Sequence, residues 1–389
     1  MSRTLVVTND FPTRHGGIES FVYALCDRLP PDEVVVYTAS MPDDHAFDAQ
    51  LPFPVVRDPS TTLLPTPAVA RRTAAVMRAE GCDSVLFGAA APLGLLADRL
   101  RDAGASRLVG LTHGHETWWA RVPGARQALR RIGETCDVLT YVSEFCRRRI
   151  MPALSADAAE RMVRLAPGVD TTVFQPGVGG AQVRERLGLD PSRPVLLSVS
   201  RFVPRKGQDA LIKAMPQILD AVPDAVLLLV GDGPNRKRLE SLTHEHRVDN
   251  EVIFAGAVPW SEAPSWFDSA DVFAMPCRTR QGGLEPEALG IVFLESQACG
   301  RPVLVGDSGG APETVIHGET GYVVDPFNPP AIASRAIELL ADPDHAKDLG
   351  RKGRAWVARE WSWEEPVATL RRLLAPTADA SAADAPTGA

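Results

Sequence analysis

The feature that most restricts the fold is a repeated alternation of short apolar segments, rich in β-branched residues, with amphipathic stretches of helical spacing. TLVVT, EVVVYT, SVLFGA, RLVGLT and DVLTYVS recur through the first half of the chain. After LAPGVDTTVF the pattern restarts with PVLLSVS, AVLLLVG, EVIFAG, DVFAMP and RPVLVG. Such alternation builds a parallel sheet covered by helices. One continuous sheet of ~10 strands lies near the limit for a twisted open sheet. The pattern therefore predicts an α/β protein of two doubly wound domains, joined near Pro167 and Gly168. The length of 389 residues agrees, because single cores rarely grow past roughly 250 to 300 residues.

Composition excludes several function classes. The net charge is −8, and an acidic chain is a poor general binder of nucleic acid. Residues 1–165 hold 19 Arg and 19 Asp plus Glu, so the excess acid lies wholly in the remainder. Six cysteines are scattered without a CxxC pair or zinc spacing and read as buried thiols in a reducing compartment. No secretory leader is visible, and no apolar run approaches the ~18 residues that span a bilayer. The expectation is a cytoplasmic protein or one peripheral on a membrane. Near the end, WVAREWSWEEPVATLRRLLA predicts a helix, a break around Trp361 to Trp363 and a second helix. The tail from Thr377 has no large apolar residue and is expected to be disordered.

In open α/β sheets ligands bind where the strands end, and four of those loops are chemically unusual. NDFPTRHGGIESFV places Gly16 and Gly17 ahead of a helix, as a tight turn or a seat for an anionic oxygen. LTHGHETWW offers His113, His115 and Glu116. A metal site is disfavoured, since His-x-His on an extended chain points to opposite faces; His113 reads as a neutral group aimed at a polar substrate or as a buried structural residue. SVSRFVPRKGQD sets Arg201 and Lys206 beside a helix start, as a diphosphate needs, or as a solvated loop.

The fourth loop contains EPEALGIVFLE, with Glu287 and Glu295 bracketing seven residues. If a helix starts near residue 290, the two carboxylates stand ~12 Å apart at helical rise, against ~5 to 9.5 Å for a glycosidase pair. Separate handholds on one long polyol ligand suit that spacing better than an acid/base pair, with the amides from Ala288 to Ile291 pointing at the same ligand.

Taken in order, the GG loop, SRFVPRKG, GDGP and E-x7-E followed by GRPVLVGDSGGAPETV resemble the retaining GT-B glycosyltransferases of family 4. The resemblance covers nearly the whole chain. TNDFPTRHGGIESFV, FGAAAPLGLLA, GASRLVGLTHGHE, RIGETCDVLTYVS, VPRKGQDAL and FAMPCRTR are similar to the subfamily of GDP-mannose-dependent phosphatidylinositol monomannoside α-1,6-mannosyltransferases.

The resemblance implies a GT-B fold with two Rossmann-like domains facing a cleft. Residues 1–167 would bind acceptor and 168–358 nucleotide sugar; a helix at 359–375 would return to the first domain, leaving a tail at 376–389. Arg201 and Lys206 would hold the donor diphosphate, with Gly16 and Gly17 closing over it. Glu295 would accept from the ribose, Glu287 from the mannose, and the amides of Ala288, Leu289, Gly290 and Ile291 would complete the grip. Val258 would border the guanine, and His113 would contact the mannose. His113, Arg201, Lys206 and Glu287 would be the catalytic set, in a front-face substitution where the leaving phosphate takes the acceptor proton without a metal or other cofactor.

A lipid acceptor requires an acceptor-side surface, placed at Asn9 and Asp10 and at Arg126, Arg130 and Arg131 on one face of the predicted helix GARQALRRIGE, against an anionic membrane on the inner face of the cell membrane. Thr117, Trp118 and Trp119 stand where the subfamily usually has smaller residues. Alternatives are a family 4 enzyme with a soluble or different lipid acceptor, and a GT-B nucleotide-sugar 2-epimerase.

Overall fold

The computed structural model describes residues 3–14 and 16–375, so the tail expected to be disordered lies outside the described residues. The chain divides into two units. The first comprises the chain up to Val142, Arg147–Ala166 and the segment from Glu365; the second comprises Ser143–Cys146 and Pro167–Glu364.

In the first unit β1 (Thr4–Thr8), β2 (Val34–Ala39), β3 (Val55–Asp58), β4 (Ser84–Phe87), β5 (Arg107–Gly110), β6 (Val138–Tyr141) and β7 (Val163–Arg164) form one sheet in the order β3-β2-β1-β4-β5-β6-β7. In the second, β8 (Val195–Val199), β9 (Val226–Val230), β10 (Val252–Gly256), β11 (Val272–Met275), β12 (Val303–Gly306) and β13 (Gly321–Val324) run β10-β9-β8-β11-β12-β13. All pairings are parallel. All ten apolar segments picked out in the sequence form strands. The unforeseen ones, β3, β7 and β13, are all at sheet edges.

The core follows from this layering. β1 and β9 are buried along their whole length, as a strand covered on both faces must be. In the second unit the helix Gln208–Ala221 buries Leu211, Ile212, Met215 and Ile218 against β9 and against Ile332, Ala336 and Leu339 of the helix Pro329–Ala341. At the end of the chain the helix Pro343–Glu360 stops at Trp361, and Glu364–Leu374 forms a separate helix of the first unit. There it buries Leu370 and Leu374, and Arg107 Nε donates to the Leu373 carbonyl at 2.7 Å.

Each sheet reverses its strand order once, between β1 and β4 and between β8 and β11. At such a switch point the connections leave on opposite faces and open a crevice at the carboxyl ends of the strands. The loops after β8 and β11, and after β1 and β4, are therefore the places where each unit can hold a ligand.

Candidate functional site

In the second unit, three loops converge on Glu287. After β8 the chain makes a short turn, Pro204–Lys206, and enters the helix Gln208–Ala221 through Gly207. Gly207 has φ +81°, and a Cβ there would stand 2.0 Å from the Pro276 carbonyl oxygen, so only glycine lets the loops after β8 and β11 approach this closely. The approach brings Lys206 Nζ to 2.7 Å and Arg205 Nη1 to 2.6 Å from the same Glu287 oxygen, Oε2. The third loop follows β12: the Glu287 amide donates to Ser308 Oγ at 3.2 Å, and its carbonyl accepts from the Gly310 amide at 2.8 Å.

Glu287 is 8% exposed. Burial alone would favour its neutral acid, but Lys206 and Arg205 outweigh that penalty and hold the carboxyl below the usual carboxylate range. The neighbouring Arg201 side chain is exposed, and no ion pair among the described residues engages it. Arg201, Arg205 and Lys206 against Glu287 leave a formal surplus of two positive charges beside a crevice. Arg205 is thus a site residue that the sequence reading missed; it stood in the quoted motif, but sequence alone gives no direction to adjacent side chains in a turn.

The helix that follows runs Ile291–Ala298, with Glu287 in the loop before it and Glu295 on it, as the spacing predicted. No side chain caps its N-terminus, so its first amides are free to meet an anion or a hydroxyl oxygen. Ala288 and Gly290 are partly buried, whereas Leu289 is turned into the core. Glu295 is half-buried, and desolvation pushes its carboxyl up to about 7, with Trp260 opposing that shift only in part. Val258 lies partly buried in the loop after β10, two residues before that tryptophan.

In the first unit the loops after β4 and β5 meet at His113. Its Nε2 lies 2.5 Å from the Gly88 carbonyl oxygen, which makes Nε2 the protonated nitrogen and Nδ1 the acceptor. Burial lowers its pKa, so the ring is neutral at pH 7. Glu116 fixes this loop: its Oε2 accepts from the amides of His113 at 3.0 Å and Gly114 at 3.2 Å, and the residue is fully buried. His115 Nε2 turns instead to the Ala91 carbonyl at 3.1 Å and to Glu116 Oε1 at 3.2 Å. Among the described residues no group of three or more His, Cys, Asp and Glu is arranged around a metal position.

After β1, Asn9 is occupied structurally: its amide donates to the Leu63 carbonyl and accepts from the Leu63 amide, at 2.9 and 2.7 Å. The Asp10 carboxyl is half-buried, and burial together with Glu19 raises its pKa. Gly16 and Gly17 are exposed at the start of the helix Gly17–Asp27, with the Glu19 carboxylate lying over Gly16.

The helix predicted at GARQALRRIGE spans Pro123–Thr135, burying Leu129 and Ile132 and exposing Arg126, Arg130 and Arg131. Two of these charges are partly used: Arg130 pairs with Glu134 at 2.9 Å and Arg131 with Asp98 at 2.5 Å. Just before this helix, Trp118 and Val122 are exposed, with Trp118 and Trp119 rings 5.5 Å apart.

Comparison with known proteins agrees with this geometry. The family model described as "Glycosyl transferases group 1" matches residues 181–356, and that described as "Glycosyltransferase Family 4" matches residues 15–173. A Mycolicibacterium smegmatis protein named GDP-mannose-dependent alpha-(1-6)-phosphatidylinositol monomannoside mannosyltransferase is 46% identical over 375 residues, 95% of this chain and 97% of its own. A Corynebacterium glutamicum protein, named as the enzyme for the monoacylated form of that lipid, is 45% identical over 96% of this chain and 97% of its own. Among solved structures, Anabaena Alr3699/HepE in complex with UDP and glucose superposes with a TM-score of 0.80 at 19% identity, covering 96% of this chain and 99% of its own, a likeness of fold. Two parallel Rossmann-like sheets, a cationic crevice at a switch point and near full-length identity place the chain in one family: it belongs to the family 4 glycosyltransferases of GT-B fold, in the group of the phosphatidylinositol monomannoside mannosyltransferases.

Proposed function

We propose that the protein is a retaining mannosyltransferase that moves mannose from GDP-mannose to a phosphatidylinositol monomannoside, forming an α-1,6 linkage. The observation that carries this reading is the 46% identity over 95% of the chain with a protein of that name. The site supports it independently of the name, because its surplus of two positive charges suits a nucleoside diphosphate.

In this reading Arg201, Arg205 and Lys206 bind the donor diphosphate. As the sugar–phosphate bond breaks, negative charge grows on the leaving oxygen, and fixed cations stabilise it more in the transition state than in the ground state. The acceptor hydroxyl attacks from the same face, and its proton passes to that oxygen. Glu287, its Oε2 taken by the two cations, offers Oε1 to a mannose hydroxyl. Glu295 takes the ribose hydroxyls, Val258 borders the base, and the amides from Ala288 to Ile291 reach sugar and phosphate. His113 presents Nδ1 as an acceptor to a hexose hydroxyl, Asp10 meets the acceptor sugar, and Gly16 and Gly17 give backbone amides to the diphosphate.

The lipid acceptor would be met at a membrane surface. The exposed Arg126, together with Arg130 and Arg131 and the neighbouring Trp118 and Val122, supports peripheral binding to anionic headgroups. No helix among the described residues is long and apolar enough to cross a membrane.

The test is a matrix of donors and acceptors. Radiolabelled GDP-mannose, UDP-glucose and GDP-glucose are each incubated with the purified protein and with monomannoside lipid, acylated or not, or a soluble inositol glycoside. The expected result is labelled dimannoside lipid from GDP-mannose alone. Transfer from another donor, or to the soluble acceptor only, would overturn the reading.

A further inference from the structure

Four residues from far upstream, Ser143–Cys146, belong to the second unit. They lie against the loop that carries Glu287. Ser143 is fully buried, and its Oγ donates to the Ala288 carbonyl at 2.7 Å while accepting from the Cys146 amide at 3.2 Å. The segment does not need the Ala288 contact to stay in place, because Glu313 holds it: its two carboxylate oxygens accept from the amides of Glu144 and Phe145, each at 2.9 Å. A Cβ on Gly310 would lie 2.2 Å from the Ala288 carbonyl oxygen and 2.5 Å from Ser143 Oγ. Only glycine at that position admits the serine and the carbonyl side by side.

The consequence falls on the next amide. The peptide bond between Ala288 and Leu289 is trans, so it is planar with its C=O and N–H antiparallel. Drawing the Ala288 carbonyl toward Ser143 therefore aims the Leu289 N–H the opposite way. A carbonyl that accepts a hydrogen bond also polarises its own peptide and makes that N–H a stronger donor. The preceding peptide is fixed in the same manner, because the Glu287 carbonyl accepts from the Gly310 amide at 2.8 Å. No hydrogen bond among the described residues engages the amides of Ala288, Leu289 or Gly290, although Leu289 is only 5% exposed. Enclosed donors that are fixed in direction and unpaired within the chain call for an acceptor from outside it.

We infer that Ser143 is a positioning residue of the donor site: its hydroxyl, by holding the Ala288 carbonyl, aims the Leu289 amide at the donor diphosphate. The inference rests on the reading that the amides from Ala288 to Ile291 reach the donor. A diphosphate suits these groups because its outer oxygens only accept, and N–H groups at a helix start add positive potential without a further side-chain charge. Such backbone donors matter more where the neighbouring cations Lys206 and Arg205 are partly neutralised by Glu287.

The experiment measures GDP affinity by calorimetry, donor KM, and the Leu289 amide signal of leucine-labelled protein with and without GDP. It compares the full-length wild type with Ser143→Ala and Glu313→Gln. Ser143→Ala is expected to weaken GDP about three- to tenfold, to raise donor KM by a similar factor, and to shrink the GDP-induced shift of the Leu289 amide. Glu313→Gln weakens the anchor of the segment but keeps the Ser143 hydroxyl, so it should lower Tm while leaving GDP affinity within about twofold. Wild-type GDP affinity in Ser143→Ala, or an equal loss in Glu313→Gln, overturns the inference while the wild-type Leu289 response leaves the donor role of the amides standing. A Leu289 amide that GDP does not move in the wild type removes that role, and the inference with it. Should Ser143→Ala fail to fold, Ser143→Cys, of nearly the same shape but a much weaker donor, carries the same outcomes.

Discussion

At the scale of the residue, the two glutamates of EPEALGIVFLE are separated by electrostatics as well as by distance. Glu287 is ionised by its cations, so its replacement removes both a hydroxyl acceptor and the anchor of Lys206 and Arg205. Glu287→Ala is expected to lower kcat by at least ~100-fold, the scale of losing a fixed electrostatic contact in a transition state. Glu295→Ala should mainly raise the donor KM. Steady-state kinetics with GDP-mannose separate the two, and equal, unimpaired kinetics in both would contradict the assignment. Glu295 makes a second prediction, about protons. Its carboxyl stands at about 7 in the free protein, and a ligand that binds the ionised form must lower that value. Below pH 7 the group is mostly protonated, so donor binding there should release up to one proton and strengthen as pH rises through 7. Calorimetry in buffers of different ionisation enthalpy reads this directly; no proton release at about pH 6 would mean that Glu295 is untouched by the donor. The spacing of these two residues could be read from the sequence, because helical rise is a fixed length. Their opposite pKa shifts could not, because that of Glu287 depends on Lys206 and Arg205, some eighty residues distant in sequence, and that of Glu295 on burial by the folded chain.

At the scale of the element, the sequence revealed the interior strands and concealed the edges. A strand covered on both faces is a continuous apolar run such as AVLLLVG, whereas β3 is VVRD, with Arg57 bound to Asp48 at 2.7 Å and Asp58 bound to Arg72 at 2.6 Å. Those polar partners satisfy an edge and erase its hydrophobic signature. β7 has only two residues and β13 begins at a glycine, so neither has a period to detect. The close approach of loops was equally hidden. In GDSGG, Gly309 has φ +62°, and a Cβ there would lie 1.9 Å from the Glu287 carbonyl oxygen. Gly309→Ala must push the loop after β12 away from Glu287 or strain both. The expected outcome is a donor KM raised about tenfold or more and a stability loss of about 1 to 3 kcal/mol, measured by kinetics and by denaturant unfolding. An unchanged donor KM would show that this loop does not hold Glu287 in place.

At the scale of the whole molecule, the first unit draws on both ends of the chain: apart from the short excursion Ser143–Cys146, the chain leaves that unit at Pro167 and returns at Glu365. The last helix is therefore part of the first unit's fold, although every strand of the second unit precedes it. Its anchoring is specific: Leu370 is fully buried and Leu374 nearly so, Arg107 at the start of β5 donates to Leu373, and Arg371 lies 3.2 Å from Glu33, just before β2. The residue pattern predicted the helix and its break at the tryptophans but not which sheet receives it, since an amphipathic face names no partner; only the family resemblance implied a return to the first domain. Ending the chain after Glu364 exposes those leucine sites and unpairs Arg107, which should cost the first unit roughly 3 to 6 kcal/mol at about 1.5 to 3 kcal/mol per buried leucine. The second unit keeps its whole sheet in this variant. Thermal unfolding should then show an early transition assigned to the first unit, with GDP still raising the later one, because the cationic crevice around Lys206 and Glu287 is intact. A single transition shifted as one block, with GDP stabilising none of it, would mean that the second unit does not fold without the first.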